Sequence, residues 1–154
     1  MPVSLEDFPK IISVDDHVVE PPHVWQDRLP EKYKDAGPRI VIAPQGEMTL
    51  VDGSWVETPG DGDQKAAWWY YEDHRYQIKE MIACAGRDPK TVTMQGVTYD
   101  DIRPGCYEPK ARLEDMDENH VEASICFPNY PRFCGQLFAE RKDMELSKLC
   151  VEAY

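Results

Sequence analysis

The sequence predicts an α/β protein that opens a parallel β/α series, and three stretches carry that prediction. "IISVDDH" (11–17) has apolar residues on both faces before a polar end, the pattern of a strand buried on both sides. "PKARLEDMDENH" followed by "VEASICFP" (109–128) reads as a helix and then a second strand. Residues 138–154 place Leu146, Leu149, Cys150 and Ala153 at i, i+3, i+4 and i+7, which predicts a closing helix. Strand, long connection, helix, strand, helix is a β/α order. Two strands cannot close a barrel of eight strands and about 250 residues, so the expectation is the first part of a larger fold.

The elements follow in order. After the first strand, "EPPHVW" carries two prolines, which forbid a helix directly behind it. "PRIVIA" (38–43) and "EMTLVDGSWVE" (47–57) predict a small antiparallel meander, with Asp52-Gly53 as its hairpin turn. "TPGDGDQ" (58–64) is a surface loop. "AAWWYYED" offers both a strand of aromatics and a helical stripe through Tyr71, His74, Ile78 and Ile82; the expectation is a strand followed by a short helix. Pro109 suits the first turn of a helix bearing Leu113 and Met116, and Pro128 stops the second strand. Residues 18–108 are too many for a plain βα loop and are expected to form an inserted lobe after strand one. The whole of 1–154 then forms the N-terminal part of one domain.

Composition limits the function. Hydrophobic residues make up 42% and charged residues 30%, a globular balance. A formal net charge of −12 argues against nucleic acid and anionic membrane surfaces as partners. No apolar run approaches the roughly 18 residues of a membrane span, and "MPVSLEDFPK" has no signal-peptide pattern. Five cysteines without a C-x-x-C pair give no zinc-finger spacing. They predict buried or partly buried thiols in a reducing, cytoplasmic setting.

The chemistry gathers at the end of strand one. Strict alternation would place Asp15 and His17 on one face with Ser13 and Ile11, and Ile12, Val14 and Asp16 on the other. Carboxylate and imidazole are donors suited to zinc, manganese or iron, so Asp15 and His17 read as half of a metal site. The competing reading of His17 is an imidazole satisfied by hydrogen bonds at a strand end. Asp16, on the opposite face, is expected to form a cap or salt link, and Glu20 is a weaker ligand candidate.

"IISVDDHVVEPPHVWQDRLPEKYKDAGPRI" resembles the opening of the amidohydrolase-related family, which includes metal-dependent hydrolases and non-oxidative decarboxylases of aromatic acids. "GCYEPKARLEDMDENHVEASICFPNYPRFCGQ" resembles the first helix and second strand of that family, and the likeness is weakest at 58–100. The resemblance implies the N-terminal part of a TIM-like (β/α)8 barrel, with Asp15 and His17 as an acid-x-His metal pair at its C-terminal mouth. Further ligands would come from later strands. The implied cofactor is a divalent metal, zinc first and manganese or iron as alternatives.

Arg132 follows the second strand at the same end of the layout, where it could hold a substrate carboxylate through a paired hydrogen bond or act as a structural loop arginine. Asn129 and Tyr130 share that loop. His23 is a less persuasive candidate, His120 is expected to supply a left-handed residue in a turn, His74 to pack or lie at the surface, and Trp68-Trp69-Tyr70-Tyr71 to form the core of the insertion or an inter-subunit surface. Glu114, Asp115, Asp117 and Glu118 read as a solvated helix face. The resulting expectation is a metal-dependent hydrolase acting on a small carboxylate- or carbonyl-bearing molecule. The alternatives are a decarboxylase of the same family, or a non-catalytic binding or assembly module. Self-association, or docking to the remainder of the barrel, is expected in either case.

Overall fold

A computed structural model describes residues 7–154. Strand β1 (Ile11–Val18) pairs in parallel with β7 (Val121–Pro128), and α1 (Pro109–Glu118) leads into β7. Pro109 occupies the first turn of α1, where its missing N–H leaves no bond unmade. His120 adopts φ 56° in the tight turn between α1 and β7, the left-handed role expected of it, and its carbonyl accepts from Ile11 N. Two parallel strands joined through a helix form the β/α beginning; the described residues contain no closed barrel.

Ile11 to Val14 are not buried, contrary to expectation. Ile12 and Val14 are each 64% exposed, because among the described residues β1 has a neighbouring strand on one edge only. The same openness leaves Leu113 of α1 exposed, and two of the five thiols, Cys126 and Cys134, lie at the surface instead of in the core.

Between β1 and α1 the chain builds two further sheets. Strands β2 (Arg39–Pro44), β5 (Lys65–Tyr71) and β6 (His74–Gln77) form one antiparallel sheet, ordered β2-β5-β6. Strands β3 (Gly46–Val51) and β4 (Ser54–Pro59) form a separate hairpin. Its turn is the expected Asp52-Gly53 pair, at φ 48° and 79°, the doubly positive geometry of a two-residue hairpin turn. The meander is corrected: β2 leaves its sequence neighbour β3 and pairs with β5, where it lies along the aromatic strand. The short helix expected after that strand is corrected as well. Glu72 at φ 47° turns the chain into β6, which zips back along β5.

The core lies where this sheet meets the C-terminal helices. Trp68, Trp69 and Tyr71 of β5 are buried as expected, and Trp69 packs edge-on against Trp25 with ring centres 5.0 Å apart. Leu137 and Phe138 of α2 (Gln136–Ala139) join Trp25, Trp69 and Tyr71 in one cluster, together with Leu146, Cys150 and Ala153 of α3 (Met144–Ala153), while Trp68 packs with Ala43 and Ala66 in a second. The stripe read from the sequence is therefore the buried one, yet the single closing helix is corrected to two. The Glu72 carboxylate accepts from Lys142 N and Asp143 N, and Asp143 Oδ1 caps α3 by accepting from Leu146 N at 3.0 Å. With those N–H groups drawn to side chains, the i→i−4 ladder breaks at 141–143. No helix among the described residues is long and apolar enough to cross a membrane.

Candidate functional site

The candidate site lies where β1 and β7 end together. Register runs evenly through Asp16↔Cys126, His17↔Phe127 and Val18↔Pro128, but β1 has one extra residue between Ser13 and Asp16. Such a bulge interrupts the alternation of side chains. Ser13 Oγ donates to Asp16 Oδ1 at 2.8 Å, so Ser13 and Asp16 share a face. This corrects the expectation that Ser13 lies on the face of His17.

Asp16 makes the salt link expected of it. Arg112 of α1 donates to Asp16 Oδ2 at 2.7 Å, and the Ser124 hydroxyl of β7 donates to the same oxygen. The Ser124 hydroxyl, with Ser13 and the Arg112 guanidinium, holds the Asp16 carboxyl below the usual aspartate range against the opposing cost of burial. A lowered folded pKa gives stability that is complete above the unfolded value and is lost as pH falls through the folded one. Asp16→Asn should cost about 1–2 kcal/mol near neutral pH, shrinking towards acid. Urea denaturation from pH 3 to 7 reads this directly; an equal loss at every pH would refute an ionic role.

A second carboxylate ties the two strand ends together. Glu20 is 1% exposed, and its oxygens accept from Asn129 N at 2.8 Å and Tyr130 N at 3.1 Å. Asn129 returns the link by donating from Nδ2 to the Val18 carbonyl at 2.8 Å, and Tyr99 Oη donates to the Glu20 carbonyl at 2.7 Å. Burial pushes the Glu20 carboxyl above the usual glutamate range, against the lowering effect of the backbone N–H groups it accepts from. The sequence signal for this clamp was slight: one acid between a buried valine and two prolines. The weaker ligand role that the sequence offers for Glu20 is corrected: its carboxylate is engaged with backbone instead.

His17 sits among aromatic rings, with centres 6.0 Å from Phe127 and 6.2 Å from Phe133, the latter edge-on. Asp15 lies inside the bulge and is exposed, as is His17. Among the described residues neither side chain has a hydrogen-bond or ion-pair partner. Arg132, next to Phe133, has φ 59° and pairs with Glu140 at 3.1 Å, both side chains about half exposed. Of the other histidines, His23 lies 3.9 Å from Asp27 at the surface and His74 packs half-buried against Tyr130.

Asp15 and His17 suit a divalent cation in donor type and fall short in number. A catalytic zinc site commonly has three protein ligands. Among the described residues no group of three His, Cys, Asp or Glu side chains could hold a metal ion. These residues by themselves therefore do not complete a metal centre.

No protein-family model matches the chain, and no curated protein matches it in sequence. In structure the chain is similar to a crystal structure of an amidohydrolase from Mycobacterium avium subsp. paratuberculosis K-10, with a TM-score of 0.54 and 20% identity. The likeness covers 94% of this chain and 36% of the amidohydrolase, so the chain spans about a third of that protein's length. At this identity the likeness shows a shared fold, and the α/β arrangement here corresponds to part of an amidohydrolase-like one.

Proposed function

We propose that this chain forms the first two β/α units of a metal-dependent hydrolase of the amidohydrolase type, acting on a small organic substrate with a carboxylate or carbonyl. One observation carries the reading: Asp15, His17 and the Arg132 loop belong to the same end of a parallel β1–β7 pair, in a fold shared with an amidohydrolase. The C-terminal ends of strands are where β/α barrels do their chemistry.

In this reading Asp15 and His17 give two ligands to a divalent ion, zinc first and manganese or iron as alternatives, with the remaining donors from outside these 154 residues. A bound ion would supply Lewis-acid polarisation of the substrate's carbonyl. The chain's own residues hold and orient. Phe127 and Phe133 limit the swing of the His17 ring, and Glu20 and Asn129 lock the two strand ends together. Arg132 receives a substrate carboxylate by exchanging it for Glu140, which its half-exposed position permits.

The test is calorimetric titration of zinc and manganese into residues 1–154 and into the longest natural form of the chain, each with His17→Ala. The short form should bind weakly and show no turnover. The long form should bind stoichiometrically, losing about a hundredfold in affinity with His17→Ala. Tight binding by the short form, unchanged by His17→Ala, would place the site elsewhere and overturn the reading.

A further inference from the structure

We propose that the outer edge of β3 is a self-pairing surface, joining antiparallel to β3 of a second copy of this chain. The inference is independent of the metal site and goes beyond it.

The β3–β4 hairpin forms its own two-stranded sheet, and among the described residues β3 pairs with nothing on its outer side. The two-residue turn at Asp52-Gly53 makes Val51–Ser54 the hydrogen-bonded pair that closes it. Bonding then alternates, so Thr49–Val56 and Glu47–Thr58 are bonded pairs, and Met48 and Leu50 turn their N–H and C=O groups outward. Met48 and Leu50 also share a face, and they are 56% and 60% exposed. A lone hairpin is marginal in water, and an open strand edge is commonly blunted by lysine, proline or a bulge. β3, "GEMTLV", has none of these.

One self-pairing register uses all four outward groups of Met48 and Leu50 and keeps their side chains together. With the two-fold axis at Thr49, Met48 lies opposite Leu50 of the second copy, and Leu50 opposite its Met48. Their outward groups make four main-chain hydrogen bonds, and the four side chains form one apolar row. Thr49 faces its own counterpart across a non-bonded pair, a favourable cross-strand match. Glu47 falls opposite Val51 and not opposite Glu47, so the acidic hairpin brings no like charges together. The apolar match and the absence of opposed like charges make a second copy the occupant that fits this edge.

The pairing is tested by sedimentation equilibrium and cross-linking of the 154-residue chain. Met48→Pro removes an outward N–H and none of the hairpin's own bonds, so it should weaken dimerisation about tenfold or more while leaving the fold intact by circular dichroism. Ile12→Lys, on the exposed β1, should leave the dimer unchanged. Thr49→Cys should form a disulfide-linked dimer under mild oxidation, beyond any formed by the parent with its own five cysteines. Glu47→Cys and Val51→Cys should cross-link when mixed and not when alone. A chain that stays monomeric, or association abolished by Ile12→Lys and untouched by Met48→Pro, overturns the proposal. So does a Thr49→Cys protein that does not cross-link.

Discussion

Trp25→Ala should lower the stability of this protein by about 3–5 kcal/mol, a large share of the roughly 5–15 kcal/mol available to a domain. Trp25 is fully buried where the β2-β5-β6 sheet meets the C-terminal helices. Its ring packs against Trp69 at 5.0 Å, Tyr130 and Phe138 at 5.8 Å, and Tyr154 at 5.9 Å. Its indole N–H donates to the Cys150 carbonyl at 3.0 Å. Truncation removes the transfer free energy of the ring, leaves a cavity that four rings cannot all close, and strands an acceptor in α3. Urea denaturation followed by tryptophan fluorescence and circular dichroism measures the loss. Trp25→Phe, which keeps most of the volume and loses the N–H, should cost markedly less. A loss below about 1 kcal/mol for Trp25→Ala would show that sheet and helices do not share this core.

Glu20→Ala should cost about 3–4 kcal/mol, because it leaves the part-buried N–H of Asn129 and the buried N–H of Tyr130 without their acceptor at about 1–3 kcal/mol each. The damage should be local in kind: amide exchange at 129 and 130 should accelerate more than in β5. Glu20→Gln gives the pH signature. Burial raises the folded pKa above the ordinary glutamate value of 4.5, so the folded chain keeps this proton to higher pH than the unfolded chain does. Ionisation of Glu20 therefore opposes folding; the cost is absent below the unfolded value, grows up to the raised folded value, and stays complete above it. Glu20→Gln should abolish that slope while losing part of the hydrogen bonding. Unchanged exchange at 129 and 130 in Glu20→Ala would remove Glu20 from its place as the clamp of the two strand ends.

Local chemistry was legible where a residue's own backbone preference or side-chain period decides the outcome. Asp52-Gly53 tolerates the two positive φ angles of a tight hairpin, Pro109 opens α1, Asn119-His120 turns the chain into β7, and the apolar stripe of α3 is the face that is buried. The placement of Asp15 and His17 near the end of β1 was legible in the same way, as was the salt link of Asp16. Only the tertiary structure decided the rest. The β1 bulge exists because β1 has one residue more than β7 between shared hydrogen bonds, a count that no single strand contains. β2 chose β5 over β3, and Glu72, some seventy residues away, broke the final helix by taking Lys142 and Asp143 N–H. Glu20 became a clamp for backbone about 110 residues further on. A sequence states the donors and acceptors near each residue, whereas a partner far along the chain is chosen by which buried polar groups the fold must satisfy together.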